Sequence, residues 1–199
     1  MKIRAVKSKI LILLFFLVTA VYPQDDIIIH SSDQNSIVIE YVPFYSDTSV
    51  VMIDNQPYRN IEINLGYIPE PELWGNPSIE ERRINLGVPS EFGNTIEVIS
   101  TEYKEIEGLV VPKPKMVPDG EVNKNEYTTG TDYYQYQAPD ELVMFGDFGI
   151  TRGMDNQTIR LLPVKFYPAQ RKIRLYKKII FRINYAGGGK INPKNYFLV

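Results

Sequence analysis

Few residues of this 199-residue chain could perform chemistry. There is no cysteine, and His30 is the only histidine. The chain therefore lacks a thiol nucleophile, a thiolate metal site and a paired-histidine metal site. His30 lies next to Ser31 and Ser32, yet no serine has the nucleophile-elbow surroundings that would point to a Ser-His-Asp triad. We predict no catalytic residue, no metal site and no cofactor, and we expect His30 on the surface.

Carboxylates are plentiful, and a glycosidase needs only two of them. Glu80-Glu81, or Glu102 with Glu107, could be placed in such a role. Acidic side chains scattered over a solvated sheet are the commoner arrangement, so we expect no hydrolase activity. Residues 187–190 are glycine-rich but lack the spacing and the following helix of a phosphate-binding loop.

The N-terminal stretch has the anatomy of a secretory signal peptide, predicted over residues 1–24. An uncharged apolar run at residues 10–18 leads into the small residues at positions 18–20, where a signal peptidase could cleave. The sequence is also compatible with cleavage nearer Gln24. The alternative is a membrane anchor, but the run is shorter than the roughly 20 apolar residues that a span needs. We expect export to the periplasm, the cell surface or the extracellular space, with no stable membrane span after cleavage. The basic residues before the run are Lys2, Arg4, Lys7 and Lys9.

The charge balance argues against a nucleic-acid partner. Loss of residues 1–24 would remove four of the 22 basic residues and none of the 24 acidic ones, taking the net charge from −2 to −6. A nucleic-acid-binding domain would be expected to carry a basic surface instead. Without cysteine, the exported domain must rely on its core rather than on disulfides.

The composition favours strands over helices. The chain contains 14 tyrosines and 14 prolines, and its hydrophobic fraction of 44% can support a core. Short alternating segments separated by turn residues predict an all-β fold, a β-sandwich of jelly-roll type, after the signal peptide. Strands are predicted at residues 37–41, 50–53, 61–65 and 96–100, with a tight turn at Asp54-Asn55.

The middle of the chain, residues 111–137, differs from the rest. Its first eight residues contain three prolines, and polar residues continue through Gly130, which predicts a long exposed loop. Long loops in compact domains are commonly functional or disordered. Tyr133, Tyr134 and Tyr136 follow this loop. Two roles are open for this aromatic cluster, packing and a sugar-binding platform, and packing is favoured.

The C-terminal third has the most regular pattern. Apolar residues fall on one parity and basic residues on the other, which predicts a long hairpin with a core face and a basic, solvated face. Lys177 interrupts the inward register, so we expect a bulge or a strand end there. Residues 187–199 are predicted to be a glycine-rich tether toward a downstream domain that this sequence does not contain. The inward residues are Ile173, Leu175, Ile179, Phe181, Ile183 and Tyr185.

Several motifs then occur in a set order along the chain. They are GNP at residues 75–77, INLGVP at 84–89, VPKP at 111–114, GITRG at 149–153, IRLLPVKFYP at 159–168 and KIRLYKKIIFRINY at 172–185. Over roughly residues 27–190 this order resembles the N-terminal propeptide domain of gingipain-type cysteine peptidases, including the sortase-like members of type IX secretion. The last motif is the most specific of the set.

The resemblance implies that residues 25–186 form a propeptide-like β-sandwich without catalytic activity. Such a domain assists the folding of a gingipain-type cysteine peptidase domain, in cis or as a neighbouring chain, and can block its active-site cleft with a basic loop residue. The motif positions implied to be structural are Gly75, Pro77, Pro89, Arg152, Gly153, Pro163 and Pro168.

Within the matching loop, the basic residues are Lys113, Lys115 and Lys124, and there is no arginine. The resemblance implies that one of these lysines enters a basic-selective pocket of the peptidase. Lys115 is our first choice, because Met116 beside it could add apolar contact and the neighbouring prolines stiffen the extended backbone. The alternative function is an exported adhesion or carbohydrate-binding module that uses Trp74 and the tyrosine cluster.

Overall fold

The computed structural model describes residues 26–70, 72–115, 127–151 and 153–186. The predicted signal peptide and the predicted tether lie outside these ranges. Among the described residues there is no helix with the length and apolar character that a membrane span requires.

The strands are β1 (Ile27–Ser32), β2 (Ser36–Tyr41), β3 (Tyr45–Asp47), β4 (Val50–Ile53), β5 (Gln56–Arg59), β6 (Glu62–Ile63), β7 (Gly66–Tyr67), β8 (Glu81–Gly87), β9 (Thr95–Glu107), β10 (Leu109–Val110), β11 (Val143–Thr151), β12 (Met154–Leu161), β13 (Val164–Tyr167) and β14 (Lys172–Asn184). Short 3-10 turns occur at Tyr133–Gln135 and Pro168–Gln170.

Two antiparallel sheets form a sandwich. The five-stranded sheet has the order β1-β2-β14-β13, with β9 paired to β14, and the four-stranded sheet has the order β11-β12-β8-β7. Inward side chains of β2, β14, β8 and β12 bury one another in a first core cluster. The prediction of an all-β sandwich is confirmed. The most buried members of this cluster are Ile37, Ile39, Tyr41, Leu86, Ile159, Leu161, Ile179, Phe181 and Ile183.

A second core cluster lies against a smaller sheet of order β10-β5-β4, in which β10 runs parallel to β5. Burial of each large apolar side chain here contributes about 1.5–3 kcal/mol. We call the loop between Val111 and Gly130 the central loop. The second cluster supports it, because residues just before and after the loop belong to this cluster. Its most buried members are Leu109, Val110, Tyr133, Val164, Phe166, Ile173 and Leu175.

Strand β14 belongs to both clusters and joins them. Ile173 and Leu175 enter the second cluster, and Phe181, with its inward neighbours in the same half of the strand, enters the first. Between the two halves, the register with β9 shifts at Lys177, which is exposed while Tyr176 turns inward. The bulge predicted at Lys177 is therefore confirmed, and the strand continues through it.

The basic side of β14 faces partners on β9 rather than water alone. Arg174 lies 2.8 Å from Glu105, and Arg182 lies 3.0 Å from Glu97. Hydrogen bonds from Arg174 and then from Lys172 lower the pKa of Glu105. The basic residues of this face, Lys172, Arg174, Lys178 and Arg182, all pair with glutamates of β9. Single-strand periodicity does not reveal this pairing.

Two local predictions have different outcomes. Asp54 and Asn55 have φ values of 48° and 61°, as expected for the tight turn between β4 and β5. The single strand predicted at residues 61–65 is wrong. Leu65 takes a φ of 56°, and the segment turns back to form β6 and β7 in different sheets.

Candidate functional site

The central loop does not start as a free chain. Residues 111–113 are buried and run beside residues 75–78. The backbone N–H of Ser78 donates to the carbonyl of Val111 at 2.8 Å. We call residues 75–78, 111–113 and Gly130 the loop base. The predicted long exposed loop is therefore shorter than its sequence suggests, because its first residues are held against another segment.

Gly75 is the centre of the loop base. Its N–H donates to the carbonyl of Lys113 at 2.9 Å, and its own carbonyl accepts from the N–H of Gly130 at 2.9 Å. Its φ is 82°, and a Cβ at this position would lie 2.5 Å from the nitrogen of Gly130. Glycine is required here for both conformation and space. One residue thus holds both arms of the central loop together.

The two prolines of the loop base face each other. Pro77 and Pro112 form an isolated antiparallel bridge, and both are buried. Proline lacks a backbone donor, so neither ring leaves an unpaired N–H inside the protein. Pro77 is thus held inside the protein by its pairing with Pro112.

Lys113 is part of the loop base and not of its surface. Its side chain is 7% exposed, and its Nζ donates to the carbonyls of Pro69 and Glu70 at 2.6 and 3.0 Å. Burial lowers the pKa of Lys113, against the attraction of Glu70 and Glu72. The ammonium satisfies carbonyls of a neighbouring turn, which ties that turn to the loop.

Lys115, two residues further on, is exposed. Its Nζ lies 5.9 Å from the ring centre of Trp74, a residue that is itself 51% exposed. This distance is at the outer limit of a cation–π interaction, so the contact is weak and does not immobilise the lysine side chain. Lys124, the third candidate, lies outside the described residues.

Two tyrosines anchor the arm that returns from the loop. Tyr133 is fully buried, and its hydroxyl donates to the carbonyl of Val110. Its ring meets Phe166 edge-on with centroids 5.8 Å apart, and Tyr136 stacks on the same phenylalanine at 6.3 Å. Tyr134 alone of the cluster is largely exposed, at 51%. The favoured packing role of the cluster is therefore observed for Tyr133 and Tyr136.

The remaining motif positions lie away from the loop base. Gly153 has a φ of 78° in the turn between β11 and β12, and Arg152 beside it lies outside the described residues. Pro163 is buried, and its carbonyl accepts from the N–H of Tyr176 at 2.8 Å. Pro168 is buried at the start of a 3-10 turn. Pro89 follows β8 and is partly buried.

The single histidine is on the surface. His30 Nε2 lies 2.8 Å from a carboxylate oxygen of Glu40, and the imidazole side chain is 47% exposed. Within the described ranges, no three His, Asp and Glu side chains converge as a metal site would require. The loop base, with its backbone hydrogen bonds and the buried Lys113, is the candidate site that we consider further.

Comparison with known proteins agrees with this geometry. The sequence matches the family described as Propeptide_C25 over residues 20–195. The chain belongs to the Propeptide_C25 family. No match was found among curated proteins.

Two solved structures share the Propeptide_C25 fold seen here. One is the complex of the pro- and mature domains of RgpB from Porphyromonas gingivalis, with 19% identity, a TM-score of 0.68, and coverage of 82% of this chain and 84% of that chain. The other concerns the zymogenic latency of gingipain K from Porphyromonas gingivalis, with 14% identity, a TM-score of 0.61, and coverage of 83% and 94%. At these identities the similarity establishes the fold.

The resemblance drawn from the sequence is confirmed by the family match. As a Propeptide_C25 domain, the chain is a non-catalytic propeptide of a gingipain-type cysteine peptidase. The family match supports the propeptide interpretation over the alternative of an exported adhesion or carbohydrate-binding module. Sequence reasoning identified the motifs but missed the loop base, because the pairing of residues 75–78 with 111–113 joins segments far apart in the chain.

Proposed function

We propose that this domain binds the mature domain of its gingipain-type peptidase and blocks the active-site cleft with the central loop. The observation that supports this most strongly is the clamp at Gly75, which holds both arms of the loop on a buried base. A loop restrained at its base loses less conformational freedom on binding than a free one. Preorganisation of this kind is what an inhibitory loop needs.

The solved relatives support the same partner. The RgpB structure is a complex of pro- and mature domains, and the gingipain K structure concerns zymogenic latency. Both statements describe those proteins. Extended to this chain, they favour a peptidase domain, in cis or as a neighbouring chain, as the surface that the loop meets.

Lys115 is the residue we propose for the specificity pocket. Its ammonium is exposed beside Trp74, whereas that of Lys113 is already bound by two carbonyls inside the loop base. Entry of Lys113 into a partner would first have to break these two hydrogen bonds. Lys124 stays a second candidate on its position in the loop sequence.

The test is inhibition of the mature peptidase by purified variants. Lys115→Ala should weaken inhibition by about 2–5 kcal/mol, because the partner's carboxylate would be left buried and unpaired. Lys104→Ala, which removes an exposed lysine from β9, is the matched control and should inhibit like the parent. Lys124→Ala tests the second candidate. If all these variants inhibit like the parent, the loop is not the inhibitory element and a sheet face must make the contact.

We also propose that the domain is exported and loses residues 1–24 as a signal peptide. The basic n-region and the short apolar run support export. N-terminal sequencing of protein recovered outside the cytoplasm should give a first residue between 21 and 25. Recovery of an intact Met1 there would contradict cleavage.

A further inference from the structure

The outer strand of the small sheet, β4, has an unusual surface. It pairs with β5 on one side, and no other described strand pairs with it. Its sequence is Val-Val-Met-Ile, without a charge, and its first three residues are exposed at 51%, 37% and 61%. Apolar residues are therefore exposed on both faces of an open strand edge.

The register of the hairpin shows which backbone groups point outward. In an antiparallel pair, hydrogen-bonded and non-hydrogen-bonded positions alternate. Asn60 donates to the carbonyl of Ser49 at 3.0 Å, and counting from this bonded pair makes Val50 and Met52 non-bonded positions. Pro57, which has no N–H, lies opposite Met52, as this count requires. The N–H and C=O groups of Val50 and Met52 therefore point away from β5.

The long edge strand β9 of the five-stranded sheet is built differently. It pairs with β14, and no other described strand pairs with it. Four glutamates and one lysine occur within its 13 residues. Charged side chains on an edge discourage the addition of a further strand. Strand β4 carries no charged residue, so these two edge strands differ in whether they admit a partner strand.

A groove beside β4 connects it to the central loop. The groove has a volume of about 500 Å³ and is lined by Val51, Met52, Val111 and Tyr127, among others. Val111 lies in the outgoing arm of the loop, and Tyr127 is the first described residue of the returning arm. A partner that receives the loop is therefore also brought next to β4.

We propose that β4 adds a strand of the peptidase domain to the small sheet, as a second contact beside the loop. This inference rests on the proposed function, which supplies the partner. Backbone hydrogen bonds from Val50 and Met52 would give the pairing its register, and apolar side chains of the added strand would pack into the groove beside β4. The acidic side chains at the groove, Asp54 and Glu62, favour a partner strand with a basic residue at its end.

Proline at Met52 tests the pairing. Met52→Pro removes an outward N–H and obstructs a strand approaching from outside, whereas it removes no hydrogen bond to β5. Met52→Thr shortens the same side chain but keeps the N–H, so it is the matched control. With the mature peptidase as probe, Met52→Pro should weaken binding about tenfold or more, and Met52→Thr much less.

Each outcome bears on the inference. Equal binding of the peptidase by the parent and by Met52→Pro overturns the inference. A loss of thermal stability in isolated Met52→Pro also overturns it, because the outer edge of β4 would then be used within the chain. Self-association of the parent that Met52→Pro abolishes would replace the peptidase strand with a second copy, and so also overturns it. If the parent itself fails to bind the peptidase, the proposed function fails and the strand pairing fails with it.

Discussion

At the scale of a single residue, Gly75 joins the two arms of the central loop. Its N–H and its carbonyl bind the two arms of the loop, and no side chain fits between it and Gly130. The motif that contains Gly75 is only three residues long, so its importance comes from this position rather than from its sequence specificity. We therefore expect a substitution of Gly75 to disturb the geometry of the central loop more than the packing of the β-sandwich.

Gly75→Ala should therefore be more harmful than an ordinary glycine substitution. The matched control is Gly153→Ala, since Gly153 has a similar φ of 78° but nothing within 4 Å of an added Cβ. Both variants pay the strain of a left-handed alanine, about 1–2 kcal/mol. Gly75→Ala should lose further stability and inhibition, because its Cβ would displace Gly130. Equal unfolding free energies and equal inhibition for the two variants would contradict the clamp.

Glu80 gives the domain a predictable pH response. Burial raises the pKa of Glu80. The N–H of Ile63 donates to the Glu80 carboxylate at 2.7 Å and lowers this pKa in part. The nearby charge of Glu62 raises it further. The folded state therefore holds this proton more tightly than the unfolded state. Its contribution to stability is present at pH values below the ordinary glutamate range and is lost as the pH rises through the folded-state pKa.

Glu80→Gln should remove this response. The neutral amide keeps an oxygen for the N–H of Ile63, so the variant should be more stable than the parent at neutral pH and similar to it in acid. Urea unfolding midpoints across this pH range would measure the difference. The exposed Glu91→Gln serves as control and should follow the parent. A Glu80→Gln profile parallel to that of the parent would disprove the assignment.

At the scale of elements, the returning arm of the loop is fastened by Tyr133. Its hydroxyl donates to the carbonyl of Val110, and its ring packs on Phe166. Tyr133→Phe keeps the ring and removes the donor, so it should destabilise the domain by about 0.5–1.5 kcal/mol. Tyr67→Phe makes the same change on a ring that is 45% exposed and should have little effect. Chemical denaturation of both variants would compare them, and equal midpoints would count against the anchor.

The sequence predicted some elements well and others poorly, for physical reasons. Strand β4, its turn and the bulge at Lys177 follow from local alternation and turn chemistry, which a single segment reveals. The strand predicted at residues 61–65 failed because Leu65 adopts a left-handed conformation that its residue type does not signal.

The candidate site was predicted in outline only. The motif resemblance identified the loop and its lysines, and the neighbouring residues favoured Lys115, but the sequence did not reveal that Lys113 is buried. That distinction depends on the carbonyls of Pro69 and Glu70, which approach Lys113 only in the folded chain. Long-range pairing, rather than composition, decides which lysine is buried.

At the scale of the whole molecule, β14 connects the sandwich to the loop. Its first half packs in the second core cluster, which also holds Val111 of the loop base and, next to the loop base, Val110 and Tyr133. Its second half is part of the sandwich core. The base of the loop thus packs against a strand that contributes to both core clusters.

The central claim is that the loop occupies the specificity pocket of the peptidase, and competition tests it most directly. Two forms of the peptidase are prepared, each with its catalytic cysteine blocked. In the first form, a peptidyl chloromethyl ketone with lysine next to the reactive group blocks the cysteine and fills the specificity pocket. In the second form, iodoacetamide blocks the cysteine and leaves the pocket open. We predict that the domain binds the first form at least about tenfold more weakly than the second, because filling the pocket removes the lysine contact. Equal affinity for both forms would contradict the account.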